Sequence, residues 1–129
     1  PGAALLIGLG AGVLCYFATQ TIKQVFRIDD SLDVFPVHGV GGILGTLLAG
    51  VFASDQLGVL SGRGYAEGMT MSSQVSVQLT GIAATVAFTA ITTFVLLKVL
   101  DLTLGLRVTT DQETEGLDLT QHDERGYDL

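Results

Sequence analysis

Three long apolar runs, divided by short polar stretches, organise the chain. The first covers residues 3–22 without a charge, with Thr19, Gln20 and Thr21 polar only near its end. The second, residues 34–53, holds a single ionisable side chain, His38. The third starts at Val75, stays uncharged through Leu97 and is expected to continue as a helix to about residue 100. A hydrocarbon layer of about 30 Å needs roughly 20 helical residues, so the runs predict membrane-spanning helices near 3–22, 34–53 and 75–100. The predicted fold class is all-α, a polytopic transmembrane helical bundle. The junction at residues 28–33 is short, which predicts that the first two spans are antiparallel neighbours.

Finer patterns sit inside these runs. Gly8 and Gly12 form a GxxxG in the first span, where small residues let helix backbones approach closely. At the start of the second span, Asp33 is a natural helix cap facing the positive end of the helix dipole. Pro36 falls in the first turn, where a missing N–H costs little. On a helix, Val34, His38, Gly41, Gly42, Gly45 and Ala49 share one face. That face is smooth apart from one imidazole, and could either pack tightly or line a tube. In the third span Gln78, Gly81, Thr85, Thr89 and Thr92 make a stripe suited to interhelical hydrogen bonding.

Composition agrees with a membrane protein. The 129 residues are 48% hydrophobic and include 17 glycines; their mean hydropathy is +0.54. The net charge of -7 is concentrated at one end, since seven of the thirteen acidic residues lie from Asp111 onward. An acidic chain lacks the basic footprint that nucleic acid requires. Cys15 is the only cysteine, so no internal disulfide exists, and mid-span it reads as a small packing residue. Lys23 and Arg27 follow the first span and Lys98 and Arg107 the third, whereas Arg63 alone lies between the second and third. The positive-inside rule then puts the first junction and the tail in the cytoplasm and the Arg63 loop outside. This is the pattern of a multi-pass protein of the cell membrane. Residues 1–108 are read as the membrane domain and 109–129 as a polar cytoplasmic tail, with a short helix at 109–115 stopped by Gly116. The Pro1-Gly2 start lacks the basic segment of a signal peptide and predicts a piece of something longer.

His38 is the chemical centre of the pattern. A neutral imidazole both donates and accepts, and can pass a proton on. An ionisable group inside a span is costly and marks a functional candidate. No second ligand lies on its face within a turn, and His122 is far away in the tail, so no metal and no cofactor is expected. Two readings stay open on the residues alone: an interfacial histidine bonded to a neighbouring helix, or one exposed to a conduction path.

The stretch DDSLDVFPVHGVGGILGTLLAG (29–50) resembles the signature of the ammonium transporter family, related to the Rh glycoproteins. YAEGMTMSSQVSVQL (65–79), DLTLGLRV (101–108) and EGLDLTQHDERGYDL (115–129) are similar to the family's lead into its last span and to its tail. The resemblance implies the C-terminal part of an eleven-helix fold, holding its last three helices and cytoplasmic tail. It also implies a homotrimer with one narrow apolar pore per subunit, carrying ammonium or ammonia, and no enzyme. His38 matches the second of two pore histidines, Val34 a pore-wall position, and Asp33 a place at the cytoplasmic mouth. Gly116, Leu117 and Asp118 match a docking segment of the regulatory tail, and Thr120 a position phosphorylated in some plant members. A PII-type signal protein is an implied partner at the cytoplasmic face. Departures lie in the tail, where Asp123 follows His122 in place of the usual glycine and Arg125-Gly126-Tyr127 varies the usual ending. An Rh-type gas channel and an ammonium sensor built on the same fold are the alternatives.

Overall fold

The computed structural model describes residues 1–127, so Asp128 and Leu129 at the end of the expected tail lie outside the described residues. All elements among the described residues are helical. They are α1 (Gly2–Gln20), α2 (Gly41–Phe52), α3 (Met71–Thr103), α4 (Thr110–Glu115) and α5 (Leu117–His122), with short π- and 3₁₀-helical pieces between them. Three continuous helical stretches are long and apolar enough to cross a membrane: Gly2–Val25, Phe35–Phe52 and Met71–Thr103. A helix long and apolar enough to span therefore lies at each of the three predicted positions, with shifted ends. The first runs on through Lys23, because the helix widens into a π turn (Thr21–Val25) before Arg27 breaks it at φ 52°. The third has 33 residues, about 50 Å at 1.5 Å per residue, and outruns a hydrocarbon layer of about 30 Å.

Two compact units make up the fold, Pro1–Val86 and the chain from Ala87 onward. In the first, α1 and α2 pack antiparallel. A Cβ built on Gly2 would meet Val59 O at 3.2 Å, one on Gly10 Leu44 Cδ2 at 4.0 Å, and one on Gly41 Cys15 Sγ at 3.0 Å. The packing stripe of α1 is Ala3, Ile7, Ala11, Cys15 and Ala18, all half-buried at helical spacing. Gly8 and Gly12, the expected contact, instead face open space within 4 Å. Spacing alone could not choose between the two small-residue faces of α1.

Apart from Pro36, no apolar side chain among the described residues is buried. Leu5, Phe17 and Phe88 are 65%, 61% and 70% exposed. Such continuous apolar exposure is unfavourable in water and suits contact with lipid or further membrane helices. On α3 two hydroxyls bond back within their own helix: Ser76 donates to Ser72 O and Thr80 to Ser76 O, both at 2.9 Å. Such back-bonding lets a polar residue sit on an apolar helix without an unpaired donor.

Candidate functional site

The second span begins with a turn rather than a simple cap. Asp33 N–H donates to Asp30 O at 3.2 Å, and Asp33 itself takes a left-handed backbone, φ 55°. Aspartate is among the few residues that tolerate this conformation. The turn brings the Asp30 carboxylate beneath the following helix start. Its two oxygens accept Val34 N–H at 2.9 Å and Phe35 N–H at 2.8 Å. The cap expected from Asp33 is thus supplied by Asp30, and this is a correction. Asp33 contributes only its backbone oxygen to the helix, accepting Val37 N–H at 3.0 Å. Its carboxylate turns to Lys23 instead: Nζ lies 2.8 Å from an Oδ1 that is shut off from solvent. The pair spans the junction between the first two membrane stretches.

Beyond the cap the chain forms a π-helical segment, Phe35–Val40, before tightening into α2. Pro36 falls in its first positions, as expected, and is fully buried. The Phe35 ring lies over Gly39, where a Cβ would come within 3.1 Å of Cδ2. Cys15 Sγ on α1 is 3.8 Å from Val37 O, the distance of a weak thiol hydrogen bond. Polar and packing contacts therefore fix this turn from three directions. His38 leaves it exposed in this chain, as does Val34, which is 53% exposed. π turns inside α-helices occur often at functional sites.

The glycine face carrying His38 divides in two. Gly41 faces α1 and packs on Cys15. Gly42 and Gly45 face nothing within 4 Å, and Ala49 is exposed. Next to the imidazole there is thus a bare stripe of Gly42, Gly45 and Ala49 about two turns long, at 5.4 Å per turn. A single imidazole on such a wall can hydrogen-bond a small polar molecule through either ring nitrogen.

The opposite end of α2 is closed. A Cβ on Gly50 would come within 2.9 Å of Gln78 Cγ on α3, so glycine is what permits this approach. Tyr65 Oη donates to both Gly50 O and Val51 O, at 3.0 and 3.1 Å, and so satisfies carbonyls at the helix end. Gly62 and Gly64 return N–H groups to Ser54 O and Ala53 O at 2.8 Å each. Gln78, expected on a hydrogen-bonding stripe, serves here as a packing partner.

The tail residues form a helical hairpin in the second unit. Thr109 and Gln112 make a capping box at the start of α4. Arg107 clamps Glu113 with two bonds of 2.7 and 3.2 Å. Gly116, at φ 110°, ends α4 as expected and starts α5. Thr120 Oγ1 donates to Gly116 O at 3.0 Å, while Leu117 and Asp118 are exposed in the first turn of α5. Gly116 and Asp118 line one side of an open depression of about 420 Å³ that reaches Tyr127.

Sequence reasoning placed His38 and its glycine neighbours together but missed Asp30, the π widening and the Tyr65 clasp. The DDSLD run held the Asp30 signal, since either of two aspartates could cap. No pattern in the sequence announces the extra residue of a π turn.

The comparisons with known proteins follow this geometry. The sequence profile of the Ammonium Transporter Family matches residues 1–127. The chain is 39% identical to an ammonium transporter of Bacillus subtilis (strain 168), over 98% of this chain and 31% of that protein. It is 41% identical to a putative ammonium transporter of Methanothermobacter thermautotrophicus, over 99% of this chain and 31% of that protein. To an ammonium transporter of Aquifex aeolicus it is 42% identical, over 98% of this chain and 29% of that protein. The chain thus spans about three tenths of the length of these curated relatives. With three apolar helices of membrane-spanning length and a family match over nearly every residue, the chain belongs to the ammonium transporter family.

Proposed function

We propose that this chain supplies one wall of a narrow pore through which ammonium, or ammonia freed from it, crosses the cell membrane. The observation that carries this reading is the exposed His38 imidazole beside the bare Gly42–Gly45–Ala49 stripe. Carrying a bare cation through an apolar tube is costly in lost hydration, by several kcal/mol in real proteins. Releasing the proton at the mouth and passing neutral ammonia avoids that cost. In this reading His38 hydrogen-bonds ammonia, Val34 lines the wall one turn away and Asp33 stands at the cytoplasmic mouth. The chain is the C-terminal part of an eleven-helix subunit that assembles as a trimer.

The hairpin of Gly116, Leu117, Asp118 and Thr120 is read as a cytoplasmic regulatory segment, docking a PII-type signal protein or a neighbouring subunit. Exposure of Leu117 and Asp118 supports this assignment. The test of the pore is uptake of labelled methylammonium by the full-length protein carrying His38→Ala. The expected result is a loss of about 10²-fold, the scale of removing one well-placed polar group, with membrane assembly intact. Wild-type uptake would make His38 a packing residue and remove the pore assignment.

A further inference from the structure

We infer that Asp30 is a positioning residue for His38, acting through the backbone of the π turn. This rests on the pore reading for its functional consequence, though not for its geometry. Each backbone N–H between Asp33 and His38 is held. Val34 and Phe35 N–H each bond one oxygen of the same Asp30 carboxylate, at 2.9 and 2.8 Å. Pro36 has no N–H to hold and is buried. Val37 N–H bonds Asp33 O at 3.0 Å, and its carbonyl faces the Cys15 thiol at 3.8 Å. The next residue is His38.

Two donors on one carboxylate fix the azimuth of the turn as well as its position, because rotating it lengthens one bond while shortening the other. A charge-assisted pair is also stronger than a neutral cap, and it faces the positive helix end. Asp33 does not share this role: it gives the helix only its backbone oxygen, and its carboxylate lies against Lys23. Removing the Asp30 carboxylate leaves two N–H groups to find other partners, and the wide turn has a ready alternative in tightening to an α-helical turn. Tightening by one residue per turn swings the imidazole sideways on the helix, off the Gly42–Gly45 stripe. A displacement of about 1 Å at a working group costs on the order of 10²-fold in rate.

Two readouts on the full-length protein test this. In the first, methylammonium uptake is compared for Asp30→Ala, Asp30→Asn and His38→Ala at matched amounts in the membrane. Asp30→Ala is expected to approach the His38→Ala level. Asp30→Asn keeps one acceptor oxygen and is expected to fall between that level and wild type. The second readout is independent of transport. In a Cys15→Ser background, which keeps a donor to Val37 O, single cysteines replace His38 or Ala49 and are labelled by a small cationic thiol reagent. Asp30→Ala or Asp30→Asn is expected to change the labelling rate at position 38 and leave position 49 unchanged. Equal labelling at 38 with and without the Asp30 change overturns the inference, as does an equal change at both positions. Where Asp30→Ala does not reach the membrane, Asp30→Asn decides on the same criteria. Wild-type uptake by His38→Ala would defeat the pore reading alone, because the labelling result stands apart from it.

Discussion

The two ends of the second membrane stretch set the same residue in opposite surroundings. At the Gly50 end, glycine is there because another helix is: Gln78 would lie 2.9 Å from any Cβ. Around His38, Gly42 and Gly45 have nothing within 4 Å, and the space is left open. The ends are also held differently. The Gly50 end is clasped from the loop that follows it, by the Tyr65 hydroxyl and by backbone returns from Gly62 and Gly64. The His38 end is held from the turn that precedes it, by Asp30 under the backbone and by a Lys23–Asp33 pair across the junction. Glycine content therefore does not identify a lumen. In this chain Gly50 has an atom where its side chain would go, and the proposed lining glycines Gly42 and Gly45 do not.

Substitution should separate the two ends sharply. Gly50→Leu forces several atoms into the α2–α3 contact and is expected to cost about 3 kcal/mol, the upper range for overpacking. Gly45→Ala meets no atom and removes a glycine from a helix interior, so it is expected to stabilise by about 0.5–1 kcal/mol. Thermal unfolding of the detergent-solubilised full-length protein would read both, and equal shifts would erase the contrast.

Tyr65→Phe keeps the ring and removes a hydroxyl shared between two carbonyls. A loss of about 1 kcal/mol is expected in the same measurement, the usual worth of a hydrogen bond. The smallest effect belongs to the junction. Lys23 and Asp33 side chains are 40% and 30% exposed, so solvent screens their attraction despite the 2.8 Å separation. Lys23→Met is expected to cost about 0.5 kcal/mol or less, and raising the salt concentration should shrink even that. A larger, salt-independent loss would mean that the pair is effectively dry and does more than tie two helices.

The sequence made the architecture legible because lipid imposes a simple rule: an uncharged run of about 20 residues must close its own hydrogen bonds as a helix. His38 stood out by the same rule, as the one ionisable group in such a run. The stop at Gly116 was readable too, since its backbone angle favours glycine. Other features depended on three-dimensional detail. Asp30 and Asp33 offer the same carboxylate three residues apart, and only the left-handed turn at Asp33 decides which one reaches the helix. The π turn adds a residue without altering the apolar pattern, so periodicity passes over it. Gly8 and Gly12 carried a recognised packing spacing, yet within this chain α1 meets α2 through the face of Ala11 and Cys15, and spacing does not say which neighbour a small-residue face will meet.

The central claim is that the face bearing His38 is a lumen wall. The most direct measurement is ammonium-driven alkalinisation inside liposomes holding the purified full-length protein, comparing Gly42→Leu with wild type at equal reconstituted amounts. A Cβ at residue 42 meets no atom of this chain within 4 Å, and intact assembly of the variant is checked alongside. If the stripe lines the pore, the leucine plugs it and the initial rate falls to that of protein-free liposomes. A wild-type rate from Gly42→Leu would show that the conduction path runs elsewhere.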